Sequence, residues 1–266
     1  MKKLDYDNKF YRLQAECNIS SAQEIVPIVL DIIKDQDKDD ISVIDLGCGS
    51  GNWLKVFKDY NCRVKGVDGG NIPGDVLLID KDEFVKHDFR TRYSDNAKYS
   101  LAISLECGEH IPEQNADELV ETLTELSDIV MFSAAIPHQR GKGHINEQYA
   151  TYWIKLFDKY DYQVLDVIRP RIWNNNKVRP FYAQNIFLYV RRESEEYERL
   201  EYLAKQNNEQ MFNVIHPGIW EQVNDYKVVR MLDHMHENRL ISWIYYTFIK
   251  KHMIRREQQR RGGDIQ

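Results

Sequence analysis

One segment constrains the fold more than any other: Val43-Ile-Asp-Leu-Gly-Cys-Gly-Ser-Gly-Asn-Trp53. An apolar run that ends in alternating glycines and then enters a helical pattern describes a buried strand turning sharply into a helix. Glycine lets the backbone approach a ligand closely, and a helix N-terminus offers free N–H groups. A dinucleotide fingerprint would put its third glycine at position 52, where this chain has Asn. Asp45 precedes the first glycine by two residues. An acid there repels a pyrophosphate and suits a cationic cofactor.

Around this segment strands and helices alternate. Ile41–Leu46, Cys62–Val67, Leu101–Leu105, Ile129–Ala135, Tyr162–Val167 and Ile186–Val190 read as strands. Trp53–Tyr60, Ala116–Leu126 and Tyr149–Tyr160 read as helices. The pattern predicts an α/β domain with a mostly parallel sheet flanked by helices, its last strands forming an antiparallel edge. Ser21-Ala-Gln-Glu24 reads as a capping box opening a helix through Ile25, Val26, Val29, Leu30 and Ile33. Residues 1–20, with Tyr6, Phe10 and Tyr11, read as a loose arm or lid.

After Arg192 the pattern is purely helical, from Glu193 to about Asn208 and from about Glu221 to Arg261, with a Pro217-Gly218 turn between. The sequence therefore predicts a catalytic domain over 1–192 and a helical C-terminal extension over 193–266. The end of that extension, KKHMIRREQQRR, is basic. It reads as a solvated helix end, or as a contact for a phosphate-bearing substrate or a membrane surface. The helices could also pair two copies of the chain.

A net charge of −6 argues against a general nucleic-acid binder, and no DNA partner is expected. Cys17, Cys48, Cys62 and Cys107 form no CxxC pair, and MKKLDYDNKF has no signal-peptide pattern. Both features fit a cytoplasmic protein with reduced thiols. The longest apolar run, Leu240–Ile249, is about half the length of a membrane span, so no transmembrane helix is predicted.

The second strand ends at Asp68, where a carboxylate can accept both ribose hydroxyls. In His87-Asp88-Phe89, Asp88 can meet an adenine amino group and Phe89 its face. A ribose, an adenine and a positive centre together describe S-adenosylmethionine. D-x-G-x-G-x-G with the strand-two acid resembles the class I methyltransferases, over roughly residues 20–190. That resemblance implies their Rossmann-like fold with a seven-stranded sheet.

Within the class the chain resembles bacterial sugar and surface-glycan O-methyltransferases. The likeness rests on Ser21-Ala22, Gly66-Val-Asp-Gly69, Ser104-Leu-Glu-Cys-Gly-Glu-His-Ile-Pro112, Phe132-Ser-Ala-Ala-Ile-Pro137, Gly143-His-Ile-Asn-Glu-Gln148 and Gln184-Asn185. The candidate cofactor residues are Asp45, Gly47, Gly49, Gly51, Trp53, Asp68, Asp88, Phe89 and Leu105.

Ligands of open α/β sheets lie beyond the carboxyl ends of the strands, and two polar segments fall there. In Glu106-Cys-Gly-Glu109-His110 the i, i+3, i+4 spacing can bring two carboxylates and an imidazole together, a donor set suited to Mg²⁺ or Mn²⁺. E-x-x-E-H is similar to the metal motif of ubiquinone-pathway O-methyltransferases and small-RNA 2′-O-methyltransferases. In metal-free relatives an E-H pair here packs and caps the following helix, so a metal, a metal-free polar and a structural role all stay open. The second segment is Pro137-His-Gln-Arg-Gly-Lys-Gly-His144-Ile-Asn-Glu147, which reads as a substrate loop. His144 is a candidate general base, a further metal ligand, or simply a capping or surface histidine. The candidate catalytic residues are His144, Glu109 and His110, and the candidate metal ligands are Glu106, Glu109, His110 and His144.

The family pattern has glycines where this chain has His138 and Arg140, and Lys142 adds a further cation. These three, with Tyr182, are the candidate substrate residues, and Arg171, Lys177 and Arg179 near Trp173 extend a cationic rim. They point to a small acceptor bearing a phosphate, phosphoramidate, nucleotide diphosphate or carboxylate. The expected function is O-methylation of such an acceptor in surface polysaccharide biosynthesis. The alternatives are RNA ribose 2′-O-methylation, which the acidic first domain and the lack of an RNA module disfavour, and a non-catalytic cofactor-binding subunit.

Overall fold

The computed structural model describes residues 8–34, 40–205 and 212–224. The chain divides into two compact units, Met1–His216 and Pro217–Gln266. In the second unit residues 217–224 are helical. The apolar run at 240–249, the basic segment at 250–261 and the dimer expectation placed on them lie outside the described residues, as does Tyr6. Among the described residues no helix is long and apolar enough to cross a membrane.

The first unit carries a seven-stranded sheet in the order β3-β2-β1-β4-β5-β7-β6. Its strands are β1 (Ser42–Leu46), β2 (Arg63–Asp68), β3 (Phe84–Lys86), β4 (Leu101–Leu105), β5 (Ile129–Ser133), β6 (Tyr162–Leu165) and β7 (Phe187–Arg191). Only β7 runs antiparallel, and it lies between β5 and β6. The antiparallel strand is therefore inside the sheet, and the edge expected from sequence is formed by β6. The three-residue β3 had no sequence signal, because a run this short shows no alternation.

The helices of this unit are α1 (Asn8–Ile33), α2 (Asn52–Asp59), α3 (Glu113–Leu126), α4 (Ala150–Asp158), α5 (Arg169–Ile172), α6 (Pro180–Asn185) and α7 (Glu195–Lys205). Strand residues alternate between two apolar layers. Val43, Ile129, Met131, Leu188 and Val190 pack with Ile25 and Val29 of α1 and Leu54 and Phe57 of α2. Ile44, Val130, Phe132, Phe187 and Tyr189 pack with Leu119 and Leu123 of α3 and Trp153 and Phe157 of α4. The Phe157 and Tyr189 rings stack at 3.9 Å. Period-2 alternation with both faces covered is what a sheet sandwiched between helices requires.

Two sequence expectations are corrected. Ser21-Ala-Gln-Glu24 does not open a helix, since α1 already runs through it. Those polar side chains instead hold the segment before α6: Ser21 Oγ accepts from Arg179 N at 3.0 Å, and Glu24 accepts from Asn175 and Lys177. The second concerns α7, which the sequence set beyond a seam near 190. Leu200 is buried in the core of the first unit, and Arg199 donates to the last carbonyls of α1, Ile32 O and Ile33 O. A guanidinium there satisfies acceptors that the helix cannot pair itself.

Candidate functional site

The sheet order reverses direction between β1 and β4, so their C-terminal ends open a crevice on which both loops of interest converge. The glycine loop is built by the backbone. Gly47, Gly49 and Gly51 all have positive φ (90°, 53° and 83°), a region L side chains rarely adopt. A Cβ on Gly47 would stand 2.3 Å from Cys107 Sγ, so this glycine is required twice over. Gly47 N and Cys48 N both donate to Val67 O, which ties the loop to β2.

Asp68 at the tip of β2 accepts from Gly49 N at 2.8 Å through one oxygen and from Gly70 N at 2.6 Å through the other. Each oxygen keeps a lone pair for a ribose hydroxyl. Burial raises the Asp68 pKa, and the two amides pull it back down. Asp45 is buried with Oδ1 unpartnered, and burial, then the charge of Asp68, pushes its carboxyl well above the usual range. A cationic ligand would draw such a group back to its anion. These features fit S-adenosylmethionine.

Trp53 faces the core, with its Nε1 donating to the hydroxyl of Tyr182, which is only 2% exposed. The structure thus joins a predicted cofactor residue to a predicted substrate residue in one buried pair. Leu105 is buried at the end of β4. Asp88 is paired with Arg90, whose guanidinium holds the Asp88 pKa at about 2. Phe89 packs edge-on to His87 at 5.6 Å. Cys48, Cys62 and Cys107 are free and buried, and burial raises all three thiol pKa values.

The second half of the crevice is built by side chains. After β4 the chain makes a 3₁₀ turn, Gly108–His110, and Glu109, His110 and His144 converge with one ligand atom each, all within 4.8 Å of one another. His110 Nδ1 donates to Gly143 O at 3.2 Å, and His144 Nδ1 donates to Glu147 Oε1 at 2.9 Å. Both partners are acceptors, so both rings carry a proton on Nδ1, and a neutral ring presents its Nε2 lone pair. His144 Nε2 lies 3.8 Å from Glu109 Oε1. Burial, then His144, lowers the His110 pKa, which keeps that ring neutral. Glu109 is 1% exposed with Oε2 unpartnered, and burial, then Glu106, pushes its carboxyl up. Two imidazole nitrogens and an orphaned carboxylate oxygen are a donor set that could hold a divalent cation.

Glu106 stands apart from this cluster, contrary to the convergence expected from its spacing. Its φ is 52°, and its carboxylate accepts from Gln139 Nε2 at 2.7 Å and Asn185 Nδ2 at 3.2 Å. Burial raises its pKa, and those amides, with Ser133, lower it. The residue before the turn has left helical geometry, so the one-face argument does not extend to it. His138, Arg140 and Lys142 are exposed on the loop after β5.

Sequence reasoning missed Ser50, Asn52, Asn146, Gln139 and Glu147. Among the described residues, five of six buried side-chain atoms without a partner belong to Asp45, Ser50, Asn52, Glu109 and Asn146, within the glycine-loop segment and the two polar segments. Unsatisfied buried polar groups mark sites completed by a ligand. Only Glu147 had a usable sequence signal, its i+3 spacing from His144.

A family model described as a methyltransferase domain matches residues 20–167, more than half of the chain, and the chain belongs to that family. It is a class I S-adenosylmethionine-dependent methyltransferase. Solved structures share the fold. The sugar N-methyltransferase KedS8 from Streptoalloteichus superposes with a TM-score of 0.53 at 11% identity, over 73% of this chain and 96% of that one. Streptomyces venezuelae DesVI gives 0.50 at 13% identity, over 71% and 100%. A putative methyltransferase solved with the Haloferax volcanii Trm112 activator gives 0.50 at 13%, over 69% and 94%. No curated protein matches the sequence.

Proposed function

We propose that the chain transfers the methyl group of S-adenosylmethionine to a hydroxyl oxygen of a small anionic acceptor, sugar-, phosphate- or nucleotide-linked, in surface polysaccharide biosynthesis. The observation that carries this reading is the convergence of Glu109, His110 and His144 beside the glycine loop. A hydroxyl is a weak nucleophile until its proton leaves. As the oxygen–carbon bond forms, the sulfur–carbon bond breaks, sulfur keeps the electron pair, and the hydroxyl proton goes to a base. His144 presents an Nε2 lone pair for that proton, and Glu109 next to it offsets the positive charge the ring acquires. Arg140 and Lys142 on the exposed loop supply cations, and His138 a ring hydrogen bond, for the acceptor's anionic group.

Glu109, His110 and His144 are also suited to a divalent cation, and their nitrogen content favours Mn²⁺ over Mg²⁺. When bound, the cation would lower the pKa of the acceptor hydroxyl. The test uses isotope-labelled S-adenosylmethionine with a panel of nucleotide-activated sugars and an oligoribonucleotide, with and without EDTA. Transfer to a sugar that EDTA abolishes and Mn²⁺ restores supports the acceptor and the cation together. EDTA-insensitive transfer leaves His144 as the base. Labelling of the oligoribonucleotide alone replaces the acceptor class.

A further inference from the structure

We propose that Glu147 is a positioning residue for the reaction, acting through His144. Its carboxylate gathers three donors from one loop. Oε1 accepts from His144 Nδ1 at 2.9 Å and from Arg140 N at 2.6 Å, and Oε2 accepts from His138 N at 2.8 Å. His138 and Arg140 have left-handed backbones (φ 74° and 63°), although neither is glycine. Such backbones are costly for residues with a Cβ and persist where the surroundings over-determine them. Here the strained turns aim two amides at one carboxylate, and the carboxylate in turn holds one imidazole.

The consequence for His144 is a fixed tautomer and a fixed ring. A carboxylate can only accept, so Nδ1 carries a proton, and in the neutral ring the lone pair sits on Nε2. That nitrogen points toward Glu109 and packs against Gly141, where an added Cβ would stand 2.0 Å away. The ring is therefore clamped by Glu147 on one nitrogen and confined by Gly141 at the other. A carboxylate behind a working histidine fixes which nitrogen meets the substrate, and losing such a partner typically costs about 10–100-fold in activity.

This inference rests on the reading of His144 as a residue of methyl transfer, and the experiment separates the two. Glu147→Ala removes the acceptor that holds the proton on Nδ1, which releases the ring to the Nε2–H tautomer. The expected result is a fall in kcat of about 10–100-fold, with cofactor affinity by calorimetry unchanged. The long-range ¹H–¹⁵N correlation of the His144 ring should switch from the Nδ1–H to the Nε2–H pattern. A double-mutant cycle supplies the control against simple loop damage: in a His144→Ala background, Glu147→Ala should lower the residual kcat no further. Multiplying effects in that cycle, or an unchanged tautomer, would overturn the proposal. Full turnover in His144→Ala alone would instead overturn the reading on which it rests.

Discussion

The two halves of the crevice reach their geometry by opposite means. On the cofactor side, three positive-φ residues are glycines, and most contacts run through backbone amides: Gly47 and Cys48 to Val67 O, Gly49 and Gly70 to Asp68. On the acceptor side, positive φ falls on Gly143 but also on Glu106, His138 and Arg140. There side chains meet side chains: Gln139 and Asn185 bind Glu106, and His144 binds Glu147, which also takes the amides of His138 and Arg140. A backbone-built site binds a constant ligand with little dependence on side-chain identity. A side-chain-built site can change its partner by substitution. Under the proposed function this keeps cofactor recognition separable from acceptor recognition, although the two halves meet where Cys107 packs against Gly47 and where Trp53 donates to Tyr182.

That separation can be broken experimentally. His144→Ala should lower kcat by about 10²–10⁴-fold, the usual value of a general base, while calorimetry shows unchanged cofactor binding. A parallel loss of cofactor affinity would show that the halves are coupled. Gly47→Ala should do the reverse. Its Cβ meets Cys107 Sγ and its φ becomes costly by about 1–2 kcal/mol, so cofactor affinity should fall about tenfold or more and the melting temperature should drop. Replacing Arg140 and Lys142 together with Ala should raise the acceptor KM about tenfold or more and leave the KM for S-adenosylmethionine unchanged, taking about 1.5–3 kcal/mol per charged contact.

The smallest effect concerns Asp95, in the loop before β4. Burial opposes the Asp95 charge, but Lys65, Ala97 N and Tyr99 outweigh it and hold its pKa at about 2. A carboxyl depressed in the folded state stabilises above its unfolded pKa and loses that contribution as pH falls through the folded value. Stability should therefore decline between about pH 4 and 2, and Asp95→Asn should flatten that decline in acid melts.

The strands β1, β2, β4, β5, β6 and β7 were legible to within one or two residues, because short apolar runs bounded by turn residues depend only on local sequence. The glycine loop was legible for the same reason, since positive φ is a property of single residues. Ser21-Ala-Gln-Glu24 misled because a capping box and a tertiary hydrogen-bond site use the same residue types, and the partners Asn175, Lys177 and Arg179 lie more than 150 positions away. Glu106 misled because its neighbours Gln139 and Asn185 come from two distant elements. Its backbone follows those contacts, not the periodicity of its own turn.

The sequence by itself determined the fold class, the cofactor and the two crevice segments, since each is written in short-range pattern. Only the tertiary structure decided which polar side chains meet. It drew Glu109, His110 and His144 together, turned Glu106 aside and set Glu147 behind His144. The reason is that side-chain convergence depends on how strand ends stack across the sheet, and local spacing constrains that register only weakly.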